Sequence, residues 1–308
     1  MRRTALALVC LLALLGWQCG GGGGSGSGAR AIVVGSKLDT EAQVLGRLMA
    51  AQLEAKGYSV RTKIPLGGTD IIRKALTSKR IDVYWEFTGS GLNVLGQKPI
   101  GDPQAAYAKV KELDVAKGVT WLPAARLNDT YALAVKGDGP VTARTLSELA
   151  GALRSQPSAH LCVDPEGGFR EDVLPLLQSV YGITFKETTQ LGYELIPPAV
   201  ADGRCLAGIV YSTAALIVKN GLRVLDDDRR AFGAYTPAPT VLTSRLARWP
   251  GLADDLAGLT AALDTPTITS LNAQVDVEKR TPEQVARDFL VTRGLISPTA
   301  TNKGPNGR

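Results

Sequence analysis

The sequence predicts an α/β protein built as two units with a ligand cleft between them. Three observations lead there. Strand-like and helix-like stretches alternate from Ala31 to Phe87, which argues for a parallel sheet with helices on its faces. The alternation resumes after Thr145. Extended stretches lie near Asp129–Tyr131 and Phe232–Pro239. A chain that leaves one unit, builds a second and returns makes two connections, and the crevice between units is a natural ligand site. At 308 residues the chain is long enough for two ordinary domains.

Taken in order, the chain opens with Arg2-Arg3, an apolar run from Ala5 to Leu15, and Cys19. This reads as an export signal over residues 1–19, its apolar run too short to span a bilayer. The Gly/Ser tract of residues 20–29 reads as a flexible tether. Ala31 to Gly35 is a buried strand. Thr40 and Gln43 read as a capping box for a helix whose apolar positions (Val44, Leu45, Leu48, Met49, Leu53) keep helical spacing up to Gly57. Tyr58 to Ile64 is a second strand. Gly67-Gly68-Thr69 turns into a short helix with Thr69 or Asp70 as cap; it lacks the Gly-Lys-Ser/Thr ending of a phosphate loop.

Ile81 to Phe87 is the third strand, its β-branched and aromatic residues suiting a packed sheet, and Gly89 and Gly91 end it in a loop. Phe87, Thr88 and Ser90 therefore sit at the carboxyl end of a strand, where α/β sheets bind ligands. Pro103 opens a polar helix to Ala116. Thr130 to Val135 is the next strand. Thr145 and Glu148 cap a short helix. Leu161–Val163, Thr184–Lys186, Cys205–Tyr211 and Leu222–Leu225 are further strands. Gly167 to Arg170 is a loop into a helix ending near Gly182, with Asp164 and Glu166 on a solvated approach to it. Ser212-Thr213 leads into a helix that ends at Gly221. Phe232 to Pro239 is Pro-rich and extended. Pro250 opens one helix; Thr281, Pro282 and Gln284 open another with Val285, Phe289 and Leu290 inward. The expected organisation is a first lobe of residues 30–132 and 237–296, a second of 133–236, and a polar tail of 297–308.

Composition excludes several functions. Hydrophobic residues make 44% and charged residues 21%, a globular balance. The net charge of +6 is spread in runs no longer than a pair, so it reads as solvated surface and not as a nucleic-acid footprint. One histidine and four scattered cysteines, without CxxC or HxxxH spacing, argue against a metal or other cofactor. His160 reads as a structural residue at a strand start. With no Ser/His/Asp set and no nucleotide loop, an enzyme is not expected. Cys162 and Cys205 each start an apparent strand; a disulfide, if those strands are neighbours, and two buried thiols are both open.

Gly35-Ser36-Lys37 with Thr40-Glu41, Leu66 to Thr69, Asp82 to Ser90, and Asn128 to Leu133 form an ordered set. Tyr211-Ser212-Thr213, Tyr235 with Ala238-Pro239, and Asn272 with Gln274 to Asp276 extend it. Over about residues 31 to 293 this set resembles the substrate-binding proteins of osmoprotectant ABC transporters, the glycine betaine/choline/carnitine-binding family. The resemblance implies a two-lobed type II periplasmic-binding-protein fold with the ligand cleft between the lobes. It implies an aromatic cage of Phe87, Tyr131, Tyr211 and Tyr235 around a quaternary ammonium. Lys37, Ser90 and Arg170 would hold a carboxylate, with the backbone at Asp129 assisting. Phe87 stands where the family usually has tyrosine, Ser90 where it has threonine, and Ala214-Ala215 where it has Asp-Gly.

The chemistry is self-consistent. A trimethylammonium has no N–H to donate, so ring faces are its natural partners, at about 0.5 to 2 kcal/mol each. Two cations beside the cage, Lys37 and Arg170, would favour a zwitterion such as glycine betaine over choline. The implied partners are that small ligand and the transmembrane subunits of an ABC permease; a receptor for choline, carnitine or another betaine-like solute, or a sensor domain without a permease, is the alternative. Cysteine after an apolar run and before a tether also resembles a bacterial lipoprotein, with Cys19 lipid-modified and the domain held in the periplasm or at the outer face of the cytoplasmic membrane. Gly16-Trp17-Gln18 departs from the usual lipobox.

Overall fold

The computed structural model describes residues 31–155 and 159–298. The expected export signal, tether and Cys19 lie outside the described residues, as does the tail from residue 299. Among the described residues no helix is long and apolar enough to cross a membrane.

The strands in chain order are β1 (Ile32–Gly35), β2 (Val60–Lys63), β3 (Val83–Phe87), β4 (Val119–Trp121), β5 (Tyr131–Lys136), β6 (His160–Val163), β7 (Glu187–Gln190), β8 (Ala207–Tyr211), β9 (Leu222–Val224) and β10 (Pro237–Leu242). They form two five-stranded sheets, ordered β2-β1-β3-β10-β4 and β7-β6-β8-β5-β9. In each, four strands run in one direction and the strand made after a crossing enters antiparallel between two of them: β10 between β3 and β4, β5 between β8 and β9. The chain thus crosses to the second sheet just before Tyr131 and returns before Pro237. Tyr131 opens β5, so the first crossing ends slightly earlier than the expected boundary at residue 132.

The β-α-β-α-β reading of the first unit is present as β1, α1 (Thr40–Ala55), β2, α2 (Thr69–Thr77) and β3. Three local expectations are corrected. Asp39, not Thr40, caps α1: its Oδ1 accepts from the Ala42 amide at 2.7 Å, while Gln43 Nε2 donates to the Leu38 carbonyl. Gly89 and Gly91 do not make a loop, because β3 passes directly into α3 (Thr88–Val94). Their lack of side chains serves packing instead. A Cβ at Gly89 would fall 2.5 Å from the Tyr235 ring, and one at Gly91 2.6 Å from Trp121. The seventh strand lies at Glu187–Gln190, C-terminal to the expected Thr184–Lys186.

The Pro-rich stretch proves to be an interior strand. Proline removes a ladder donor and is normally confined to sheet edges. Here Pro237 and Pro239 turn their carbonyls toward the far end of β4, accepting from Ala125 and Leu122 at 2.9 Å. Their missing N–H groups face that same side, where the regular strand has already ended at Trp121. Pairing with β3 runs from Pro237 opposite Phe87 to Val241 opposite Val83. The three-residue β4 was too short to show a period and was absent from the sequence reading.

The Thr281 capping box forms in full, Thr281 with Gln284, and opens the helix Pro282–Thr292 that packs on α1. Thr145 caps Leu146–Leu153 as expected. His160 Nε2 lies 2.7 Å from Thr189 Oγ1, across the β6–β7 pair. Cys162 in β6 and Cys205, just before the neighbouring β8, are joined by a disulfide with Cα atoms 5.7 Å apart.

Candidate functional site

The carboxyl ends of β1, β3 and β8 converge on the two crossings. Lys37 follows β1, Phe87 ends β3, and Ser90 lies in the first turn of α3. Tyr131 and Tyr211 are register partners on antiparallel strands, so their side chains share one face of the second sheet. Asp129 and Tyr235 stand on the crossings and bring their residues to the same place. As a result all eight residues singled out from the sequence line a single cavity of about 380 Å³.

The rings form a connected wall. Tyr131 lies 5.1 Å from Tyr211 and meets Tyr235 edge-on at 5.3 Å. Tyr193, outside the set named from the sequence, adds a further ring 5.2 Å from Tyr211. It reaches the cavity from a short 3₁₀ turn before Pro197-Pro198, a position no period marks. Burial is the leading cause that pushes the hydroxyls of Tyr131, Tyr193, Tyr211 and Tyr235 up from their ordinary value, so all four stay neutral. Tyr84 and Trp85, both on β3, are buried and do not line the cavity.

The polar side differs from the expectation in one respect: its cations are already paired. Lys37 Nζ is 2.6 Å from Glu86 Oε1, a carboxylate with no solvent exposure. Arg170 makes a fork with Asp172, Nε to Oδ1 at 2.9 Å and Nη2 to Oδ2 at 2.6 Å. Its Nη1 donates to Thr69 Oγ1 and Ser90 Oγ, each at 3.2 Å, and to Glu166 Oε2 at 3.3 Å. The Asp129 amide, expected to face a ligand carboxylate, donates to the Tyr235 carbonyl at 3.1 Å.

Asp164 and Glu166, read as a solvated loop, are instead built into the interior. Asp164 is buried and accepts from the amides of Glu166 and Gly167. Glu166 lines the cavity with Asp39, Gly68 and Thr69. Burial alone would raise the Glu166 carboxyl, but the charge of Lys37, the hydroxyl and amide of Thr69 and the charge of Arg170 outweigh it and lower it.

A second group of carboxylates adjoins the rings. Thr213 Oγ1 lies 2.6 Å from Glu41 Oε2 and 2.7 Å from Asp129 Oδ1. The one hydroxyl proton serves only one of the two carboxylates at a time. Glu41 Oε2 also accepts from Asn272 Nδ2 at 2.9 Å and Asp129 Oδ1 from the Thr213 amide at 3.2 Å, so what favours a proton here is the crowding of carboxylates in a buried site. Asp129 is accordingly pushed up to about 7, first by burial and then by the charge of Asp39, against the hydrogen bonds of Thr213. Glu41 is raised well above the ordinary range, by burial and then by Asp129. Glu41, Asp129 and Thr213 all fall within the ordered motif set, but nothing local brings them together, since they come from the start of α1, a crossing and the turn after β8.

The family of substrate-binding domains of ABC-type glycine betaine transport systems matches residues 30–292. The chain belongs to that family. It is 34% identical over 289 residues to a glycine-betaine-binding protein of Pseudomonas aeruginosa, covering 90% of this chain and 92% of that one. It is 31% identical over 279 residues to the glycine betaine-binding protein YehZ of Escherichia coli, covering 86% and 92%. The solved apo YehZ structure superposes with a TM-score of 0.64 over 87% of this chain and all of that one. These relatives are binding proteins, not enzymes. The chain has the two-lobed periplasmic-binding-protein fold, shared with the solved structures of lactococcal OpuAC and Borrelia burgdorferi ProX at TM-scores of 0.61 and 0.62. The chain is thus a substrate-binding protein of the ABC glycine betaine/choline transporter family.

Proposed function

We propose that this protein captures a quaternary ammonium solute of the glycine betaine and choline type in the cavity between its lobes and hands it to an ABC permease. The observation that carries the reading is the convergence of rings from both sheets and both crossings on one cavity. Phe87, Tyr131, Tyr211 and Tyr235 form the cage, with Tyr193 as a further wall. Lys37, Ser90, Arg170 and the neighbourhood of Asp129 form its polar end.

Residues 30–132 with 237–296, less the first two residues of β5, make one lobe, and 133–236 with those residues make the other. Opening would part Phe87 and Ser90 from Tyr211 and Arg170, so the site is complete only when closed. An export signal ending at Cys19, lipid-modified at that residue, would hold the domain outside the cytoplasmic membrane beside its permease. Globomycin-sensitive processing and labelling by a radioactive fatty acid, both lost in Cys19→Ser, test the anchor.

Calorimetric titration of the purified protein with glycine betaine, choline and carnitine tests the site. Saturable binding that disappears in Tyr211→Ala supports the cage. Absence of binding for all of them by the folded protein refutes it.

A further inference from the structure

One carboxylate in the cavity stands where the ligand's own is expected. Glu166 is carried by the second lobe, yet it reaches the first. Its Oε1 accepts from the Thr69 amide at the N-terminus of α2, and its Oε2 accepts from the Thr69 hydroxyl at 2.8 Å. Arg170 Nη1 donates to the same Oε2 at 3.3 Å. The helix has no side-chain cap of its own, because its N-cap is Gly68. A Cβ at Gly68 would collide with Glu166 Oε1, so the glycine leaves the room this carboxylate fills. A helix N-terminal amide, a hydroxyl and an arginine N–H are groups that recognise a bound carboxylate. Here a side chain of the protein has them.

We propose that Glu166 is a specificity-determining residue: its carboxylate occupies the seat of a ligand carboxylate and disfavours ligands that bring one, relative to quaternary ammoniums with an uncharged tail. The inference rests on the cage reading above and adds the ligand class to it. A zwitterion entering the cage must displace Glu166 from Thr69 and Arg170, or set its own negative charge beside it. A choline-like cation does neither, and it gains from the negative charge left in place. Lys37 does not reverse the balance, since Glu86 already holds it at 2.6 Å. Arg170 does not either, since Asp172 takes two of its donors.

The same residue also ties the lobes together, so removing it weakens closure for every ligand alike. The ratio of affinities is free of that common effect and is the quantity to measure. Calorimetric titrations of wild type, Glu166→Gln and Glu166→Ala with glycine betaine and with choline give it directly. The expected result is a shift of the ratio toward betaine by fivefold or more in both variants. Glu166→Gln keeps the packing and removes the charge, at the cost of turning one acceptor oxygen into an NH2 group. Glu166→Ala removes the group altogether, so a shift shared by both variants reports the charge and not a collapsed site. A smaller shift, or one toward choline, overturns the inference. If Tyr211→Ala abolishes both ligands while the ratio stays fixed in the Glu166 variants, the cage stands and the role of Glu166 falls. If the folded wild type binds neither ligand, the cage reading and this inference fall together.

Discussion

Asp129 offers a quantitative check on the buried carboxylate cluster. Held at about 7 in the folded protein against an ordinary 3.8, it keeps a proton that the unfolded chain has lost between those values. The native state therefore binds more protons in that window, and stability must fall as pH rises through it. At about 1.4 kcal/mol per pH unit the full effect is about 4 kcal/mol, shared with Glu41 through Thr213. For a chain of this size that corresponds to a fall in Tm of about 10 °C between pH 4 and pH 8. Asp39, Asp164 and Glu41 are also raised, each first by burial, and act in the same sense. Asp129→Asn makes the neutral form permanent while keeping an acceptor for Thr213. Thermal unfolding followed by circular dichroism across pH 4 to 8 should show the wild-type decline reduced by half or more in this variant. Parallel declines in the two proteins, or a wild-type Tm that rises over this range, would refute the shared-proton account.

Other expectations follow from single contacts. Asp114 is fully buried and accepts from Trp121 Nε1 at 2.7 Å and from Arg73 Nη1 at 2.8 Å. Asp114→Ala strands a largely buried guanidinium, and urea unfolding should register a loss of about 3 to 5 kcal/mol. Replacing both Cys162 and Cys205 by serine should cost about 2 to 5 kcal/mol, with a midpoint no longer sensitive to dithiothreitol. Thr281→Ala removes one half of the capping box and should cost about 1 kcal/mol in the same assay, without altering ligand affinity. Gly68→Ala should shift the betaine-to-choline affinity ratio in the same direction as Glu166→Gln, with little change in the far-ultraviolet spectrum, because the added methyl displaces the Glu166 carboxylate from Thr69.

Most of the architecture was legible because periodic burial repeats along the chain. The helix from Thr40 and the strand ending at Phe87 carry their patterns within a few residues, and both stand where the patterns put them. The failures share a cause: the deciding partner was remote. Gly89 and Gly91 look like a loop until Tyr235 and Trp121 are seen to need their space. Pro237 and Pro239 look unfit for a sheet interior until β4 is seen to end beside them.

The site divides in the same way. The aromatic positions were legible through the family resemblance, since a single aromatic at a strand end is by itself more often core. Phe87 and Tyr211 close their strands, while Tyr131 opens β5 and Tyr235 precedes β10. The state of a charge was not legible, because it depends on what sits beside it in space. Lys37 and Arg170 looked like a free pair of cations that would welcome a carboxylate. Glu86 lies on β3, beside the strand that Lys37 follows, and Asp172 lies two residues beyond Arg170. Each is buried with its partner, and Glu166 is lowered by the same cations. The cavity on which these residues converge is therefore electrostatically different from the one that the sequence suggested. Its cations are held by internal carboxylates, and under the proposed cage the ring faces are left as the groups that would meet a quaternary ammonium.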